Sequence, residues 1–160
     1  MSKLIDWIYI LDKAYDYNIR DYLPDNWNEG CAFVDRKGCK RLEIHPNGNA
    51  RVFANYAWDG CTPKFSVLDI AFGVPDGIPN QSTKKPKAYY ASLLHDVLYQ
   101  FLDNDLPLSR AQADRIFLDI LKRDQFAPRL IYYMAVRIFG GVSHLFTCWT
   151  RQHAGKRIPL

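Results

Sequence analysis

The hydrophobic pattern of this chain changes period near residue 85, and that change limits the fold more than any other feature. Before it, short β-type runs alternate with turn formers; after it, apolar residues recur at helical spacing. Residues 40–45 and 51–58 flank Pro46-Asn47-Gly48-Asn49, a hairpin signal because Asn-Gly tolerates positive φ. In the second run Val52, Ala54, Tyr56 and Trp58 are expected on one face. Ala32-Phe33-Val34, followed by Asp35-Arg36-Lys37-Gly38, reads as a preceding strand, so a small antiparallel sheet is expected.

Three helices are expected after the switch. The first, over residues 86–102, carries a buried stripe of Leu94, Val97, Leu98 and Phe101, with Ser92, His95, Asp96 and Tyr99 on the adjoining arc. The second opens at Ser109, where Gln112 three positions on completes a capping box. Its apolar arc is Ala113, Ile116, Phe117, Ile120 and Leu121, and Asp114 falls inside that arc. The third covers residues 128–140, with Pro128 in its first turn, Gly140-Gly141 at its end, and Arg137 among Tyr133, Met134 and Ile138. Residues 59–87 read as loop, a length that more often serves a ligand than idles. At 160 residues the expectation is one α+β domain: residues 1–85 rich in strand and loop, residues 86–160 helical.

Composition narrows the function classes. The apolar and charged fractions are those of a globular protein, which excludes disordered and fibrous classes. Aromatics make up 14% of residues; the simpler reading is a ring-built core, the alternative an aromatic groove or interface. A net charge of +4 permits phosphate contact without requiring it. Lys84, Lys85 and Lys87, and Arg151, Lys156 and Arg157, form no run long enough for a nucleic-acid arm and read as solvated loop and tail residues, with contact to anionic lipid or a nucleic-acid backbone as the alternative. Cys31, Cys39, Cys61 and Cys148 lack Cys-x-x-Cys spacing, so reduced thiols are expected, with a Cys31–Cys39 bridge as the alternative. The apolar string over residues 4–11 is too short to span a bilayer and lacks a cleavage site. The expected setting is the cytoplasm of a host cell, with association to a virion as a variant. No Gly-rich phosphate loop and no Gly-x-Ser-x-Gly elbow occurs, which removes the common nucleotide hydrolases and the serine hydrolases.

His95-Asp96 and Tyr99 on one helix, and Asp114 on the next, carry the sharpest chemical signal. A carboxylate among apolar residues needs partners. A histidine whose second ring nitrogen is held by an acid is a general base fixed in one tautomer. Asp96, about 100° further round the helix, would point to a hard cation such as calcium, and the loop around Gly73 and Gly77 would supply backbone carbonyls. Tyr99 would close the network on Asp114. The alternative is structural: Arg110, one turn before Asp114, and Arg137 pair with the acids, and the cluster orients three helices around a satisfied histidine. His45, His144 and His153 show no ligand spacing; Asp59, Asp69 and Asp76 read as loop acids.

His-Asp-x-x-Tyr followed by a helix-borne Asp resembles the motif of phospholipase A2 enzymes, especially the prokaryotic and parvoviral types. The resemblance implies His95 as base, Asp96 as calcium ligand, and Tyr99 and Asp114 as supports of the histidine. The family's closely spaced loop glycines are matched only loosely by residues 73–77, and no cysteine flanks His95. A resemblance over more of the chain is to an uncharacterised, DUF1353-like family of phage and prophage proteins. It runs through His95 to Tyr99, Ser109 to Phe117, Val136 to Gly141, the segment 58–65 and Pro75-Asp76-Gly77. That resemblance implies a phage or mobile-element origin and supplies no activity. The expected partners are therefore lipid or envelope material as substrate, or a phage or host protein.

Overall fold

The computed structural model describes residues 9–58, 79–138 and 155–160. Its main sheet is antiparallel throughout, with strands β2 (Tyr15–Asn18), β3 (Cys31–Asp35), β4 (Lys40–Ile44), β5 (Asn49–Val52) and β7 (Gly155–Pro159) in the order β2-β5-β4-β3-β7. A two-stranded pair, β1 (Tyr9–Ile10) with β6 (Ala57–Trp58), lies beside it. Helices α1 (Tyr89–Gln100) and α2 (Arg110–Arg123) follow, and residues 129–138 form α3. The architecture is α+β, with the sheets drawn mainly from the N-terminal half and the helices from the C-terminal half.

Turn chemistry fixes the β4–β5 hairpin. Gly48 sits at φ +82°, and a Cβ there would come within 2.6 Å of the Arg20 Cβ and 2.7 Å of its Cα. Only glycine meets both demands. The Asn47 side chain also accepts the Asn49 amide at 3.0 Å. Between β3 and β4, Asp35 Oδ1 accepts the amides of Lys37 and Cys39, while Arg41 Nε holds its Oδ2 at 2.8 Å.

The expected long strand over residues 51–58 is broken. Backbone pairing with β4 ends where the Phe53 amide donates to the Arg41 carbonyl, Asn55 turns to φ +64°, and the chain resumes as β6 against β1. Val52, Tyr56 and Trp58 are still buried, although Ala54 is not fully so. The turn redirects Tyr56 and Trp58 from the main sheet toward α1, where Trp58 Nε1 donates to Ser92 Oγ at 3.1 Å. The tail differs from expectation as well. Residues 155–159 pair with β3 along their whole length, so the chain ends as an edge strand while Lys156 and Arg157 stay exposed. Gly155 permits this approach, since a Cβ would meet the Val34 carbonyl oxygen at 2.2 Å. Lysine, arginine and proline suit an edge strand because they discourage further pairing.

One apolar cluster joins sheet and helices. It includes Phe33, Leu42, Ile44 and Val52 from the strands and the expected Leu94, Leu98, Phe101, Phe117 and Leu121 from the helices. Phe33 and Phe101 rings meet at 5.3 Å. Burying each large apolar side chain contributes about 1.5–3 kcal/mol, so these contacts hold α1 against β3. Cys31 is buried in β3 and Cys39 is exposed; both are free thiols. No helix among the described residues is long and apolar enough to cross a membrane.

Candidate functional site

Helix α2 begins where the sequence places it. Ser109 Oγ accepts the Gln112 amide, and the Gln112 side chain accepts the Ser109 amide at 2.7 Å. This cap sets the rotation of the helix, so the apolar arc of Ile116, Phe117, Ile120 and Leu121 turns to the core and carries Asp114 with it. The Asp114 side chain has 0% exposure.

The partners of Asp114 come from all three helices. Tyr99, near the end of α1, meets Arg110 at the start of α2, and His95, one turn back, meets Asp114, one turn on. The two helices therefore run in opposite directions past each other. Oδ1 lies 2.9 Å from His95 Nε2 and accepts the Tyr99 hydroxyl at 2.5 Å. Oδ2 accepts Arg137 Nη1 at 3.0 Å, with Arg110 Nε 3.8 Å away. Arg110 also donates to the Tyr99 hydroxyl at 3.2 Å and to the Arg137 carbonyl, which ties α2 to α3.

Electrostatics follow from this geometry. Burial alone would raise the Asp114 pKa, but the hydrogen bonds from His95, Tyr99 and Arg137 outweigh it and hold the carboxyl below its usual range. Tyr99 is pushed the other way, first by burial and then by its bond to Asp114, so it remains a neutral donor. An ionised Asp114 can only accept, which requires the proton of His95 on Nε2. Among the described residues none bonds Nδ1. The imidazole is packed between Tyr99 (4.1 Å between centroids) and Phe117 (5.0 Å), yet 14% of its side chain reaches the surface. This is an imidazole held in one orientation and partly accessible from the surface.

Asp96 faces a different group. Its Oδ2 accepts the Tyr56 hydroxyl at 2.8 Å, with Gln100 Oε1 3.0 Å from the same hydroxyl, and Oδ1 takes no bond from a described residue. Gly73 and Gly77, expected to offer carbonyls to a cation, lie outside the described residues, as do Asp59, Asp69, Asp76, His144 and His153. Among the described residues no three His, Cys, Asp or Glu side chains gather in one place. His45, at the end of β4, stands 3.5 Å from Glu43 and away from the helices' polar cluster. Tyr56 and Gln100 are the site neighbours that sequence reasoning missed. The burial pattern marked Tyr56 as inward-facing, but nothing local joins it to a helix 40 positions on.

No curated protein matches the chain, and no solved structure matches it. A family model does match, over residues 56–136, which include Tyr56, both motif helices and most of α3. That stretch is just over half of the 160 residues, and the chain belongs to the family described as protein of unknown function, DUF1353.

Proposed function

We propose that the protein hydrolyses ester bonds of lipid or envelope material, in a phage or prophage setting, with His95 as general base. The observation that carries the reading is the state of His95: its Nε2 is committed to a buried Asp114 held below the usual carboxylate range, its Nδ1 takes no bond from a described residue, and the ring keeps 14% of its side chain exposed. Nδ1 takes a proton from water as the oxygen bonds to the ester carbonyl carbon. The tetrahedral centre then expels the alcohol oxygen, which recovers that proton from the imidazolium, leaving an alcohol and a carboxylic acid that loses its proton to water. Asp114 stabilises the transient positive charge on His95, and Tyr99 and Arg137 keep Asp114 oriented and ionised.

The phospholipase A2 resemblance adds calcium to this reading, which would draw on oxygen donors. Asp96 retains one carboxylate oxygen for it, and backbone carbonyls near Gly73 and Gly77 would complete the oxygen set. When bound, calcium would supply positive charge to the carbonyl oxygen.

The second reading is a non-catalytic phage accessory or virion protein, in which the cluster orients helices. Its support is also specific: Arg110 and Arg137 converge on Oδ2, and Arg110 holds a carbonyl of α3. Release of fatty acid from phospholipid vesicles, with calcium and then with chelator, separates the two. The hydrolase reading expects turnover with calcium that His95→Gln abolishes while the protein stays folded. Asp96→Asn should raise the calcium requirement. No turnover in either condition, with no calcium-induced rise in melting temperature, would refute it.

A further inference from the structure

Helix α3 is amphipathic the wrong way round for a helix facing water. Tyr132 and Ala135 are buried beneath it, as its core face requires. Its outer arc, however, carries Leu130, Ile131, Met134 and Ile138, exposed by 61%, 44%, 53% and 56%. At 100° per residue these four fall within about a third of a turn. The remaining residue on that arc is Arg137, and residues 129–138 contain no acid. A solvated helix presents polar residues outward, so an apolar arc of this kind marks a surface that something covers.

Charge and area select the occupant. Tyr133 joins the flank of α3 to a cleft of about 340 Å³ lined by Arg115, Leu118, Asp119 and Lys122 of α2 and by Tyr22. Asp119 is already engaged by Lys122 and by the Tyr22 hydroxyl. Arg137 is paired with Asp114, and Arg129 and Arg115 leave the rim positive. Four partly exposed side chains offer a few hundred Å² of apolar surface, well below the roughly 800 Å² that each partner of a stable complex gives. A second copy of the chain would also oppose positive rim to positive rim. An apolar stripe edged by arginine and lysine is the composition that seats a helix in the interface of an anionic bilayer.

We infer that the outer face of α3 docks the protein on an anionic lipid surface, inserting Leu130, Met134 and Ile138 between headgroups with Arg129 and Arg115 beside them. The choice of lipid rests on the hydrolase reading above, although the surface itself stands on exposure and charge. Co-sedimentation of the full chain with phosphatidylglycerol vesicles, and with phosphatidylcholine vesicles as control, tests it. The protein used carries His95→Gln, with and without calcium, so that binding is read without turnover. Phosphatidylglycerol should bind in a salt-sensitive way and phosphatidylcholine weakly. Met134→Ser with Ile138→Ser should reduce partition by about tenfold or more at an unchanged melting temperature. No binding to phosphatidylglycerol, equal binding by the double variant, or a dimer in sedimentation that the same substitutions dissociate would each overturn the inference. Vesicle binding by a parent without turnover would leave the docking face standing and remove the hydrolase. Cleavage of a soluble short-chain ester without vesicle binding would do the reverse.

Discussion

Replacing Asp114 tests the centre of this structure, because its two oxygens have separable duties. Asp114→Ala strips both: it leaves the Tyr99 hydroxyl and His95 Nε2 as donors without an acceptor, and Arg110 and Arg137 without their shared anion. Removing one partner from a buried charged network costs about 3–5 kcal/mol. For a chain of this size each kcal/mol moves the melting temperature by about 2–4 °C, so the expected drop is about 6–20 °C. Asp114→Asn keeps an amide oxygen in the place of Oδ1 for His95 and Tyr99, and turns an NH2 toward Arg137. Its cost should be smaller, about 1–3 kcal/mol. Arg137→Gln should cost about 1 kcal/mol or less, because that side chain is 39% exposed and water can replace it.

Thermal denaturation of the four proteins gives the order parent, Arg137→Gln, Asp114→Asn, Asp114→Ala. The pH dependence adds a signed check. The folded Asp114 pKa lies below the unfolded value of about 4, so its stabilisation is complete above that value and is lost as pH falls through the folded one. The gap between parent and Asp114→Asn should therefore close in acid. An Asp114→Ala protein as stable as the parent, or a gap that widens below pH of about 4, would refute the assignment of a buried, ionised, multiply bonded carboxylate.

Two further predictions concern the fold itself. Burial pushes Tyr15 and Tyr89 up to about 12 and raises Tyr17, Tyr22, Tyr90 and Tyr99, so the stability of their neutral form holds below the unfolded pKa and is lost as pH rises through the folded values; phenolate absorbance from these six should appear together with loss of circular dichroism, and reversible titration of all ten tyrosines near pH of about 10 with the fold intact would contradict it. Gly48→Ala should cost more than Gly38→Ala: both positions have positive φ, about 1 kcal/mol for alanine, but only the first also drives a Cβ into Arg20, so equal denaturant midpoints would count against the close approach.

What could be read from the sequence was local. The Ser109–Gln112 box, the apolar arcs of α1 and α2, and the turn at Gly48 each depend on residues within one or two turns of chain. Asp114 stood out for the same reason: it interrupts an apolar arc, and burial without partners is too costly to persist. What escaped is non-local or lacks a side-chain signal. The strand break at Asn55 has no glycine to announce it, and tertiary contact of Tyr56 and Trp58 with α1 decides it. Strand β7 pairs with a partner more than a hundred residues earlier, and Gly-Lys-Arg-Ile-Pro shows no alternation strong enough to reveal it.

The sequence also set a catalytic and a structural role for the cluster against each other, and under the proposed hydrolase reading the geometry has room for both. Oδ1 faces the histidine and the tyrosine, and Oδ2 faces the arginines, so one carboxylate serves both without competition. The bonds from His95 and Tyr99, with Arg137 adding to them, keep Asp114 ionised against its burial, and an ionised Asp114 is what places the proton of His95 on Nε2. If the proposed hydrolysis holds, helix orientation and base preparation are two consequences of one arrangement. Substitutions on the arginine side should act on His95 only through the charge of Asp114. Arg137→Gln would therefore shift the pH profile of any hydrolysis, whereas His95→Gln would remove the activity outright.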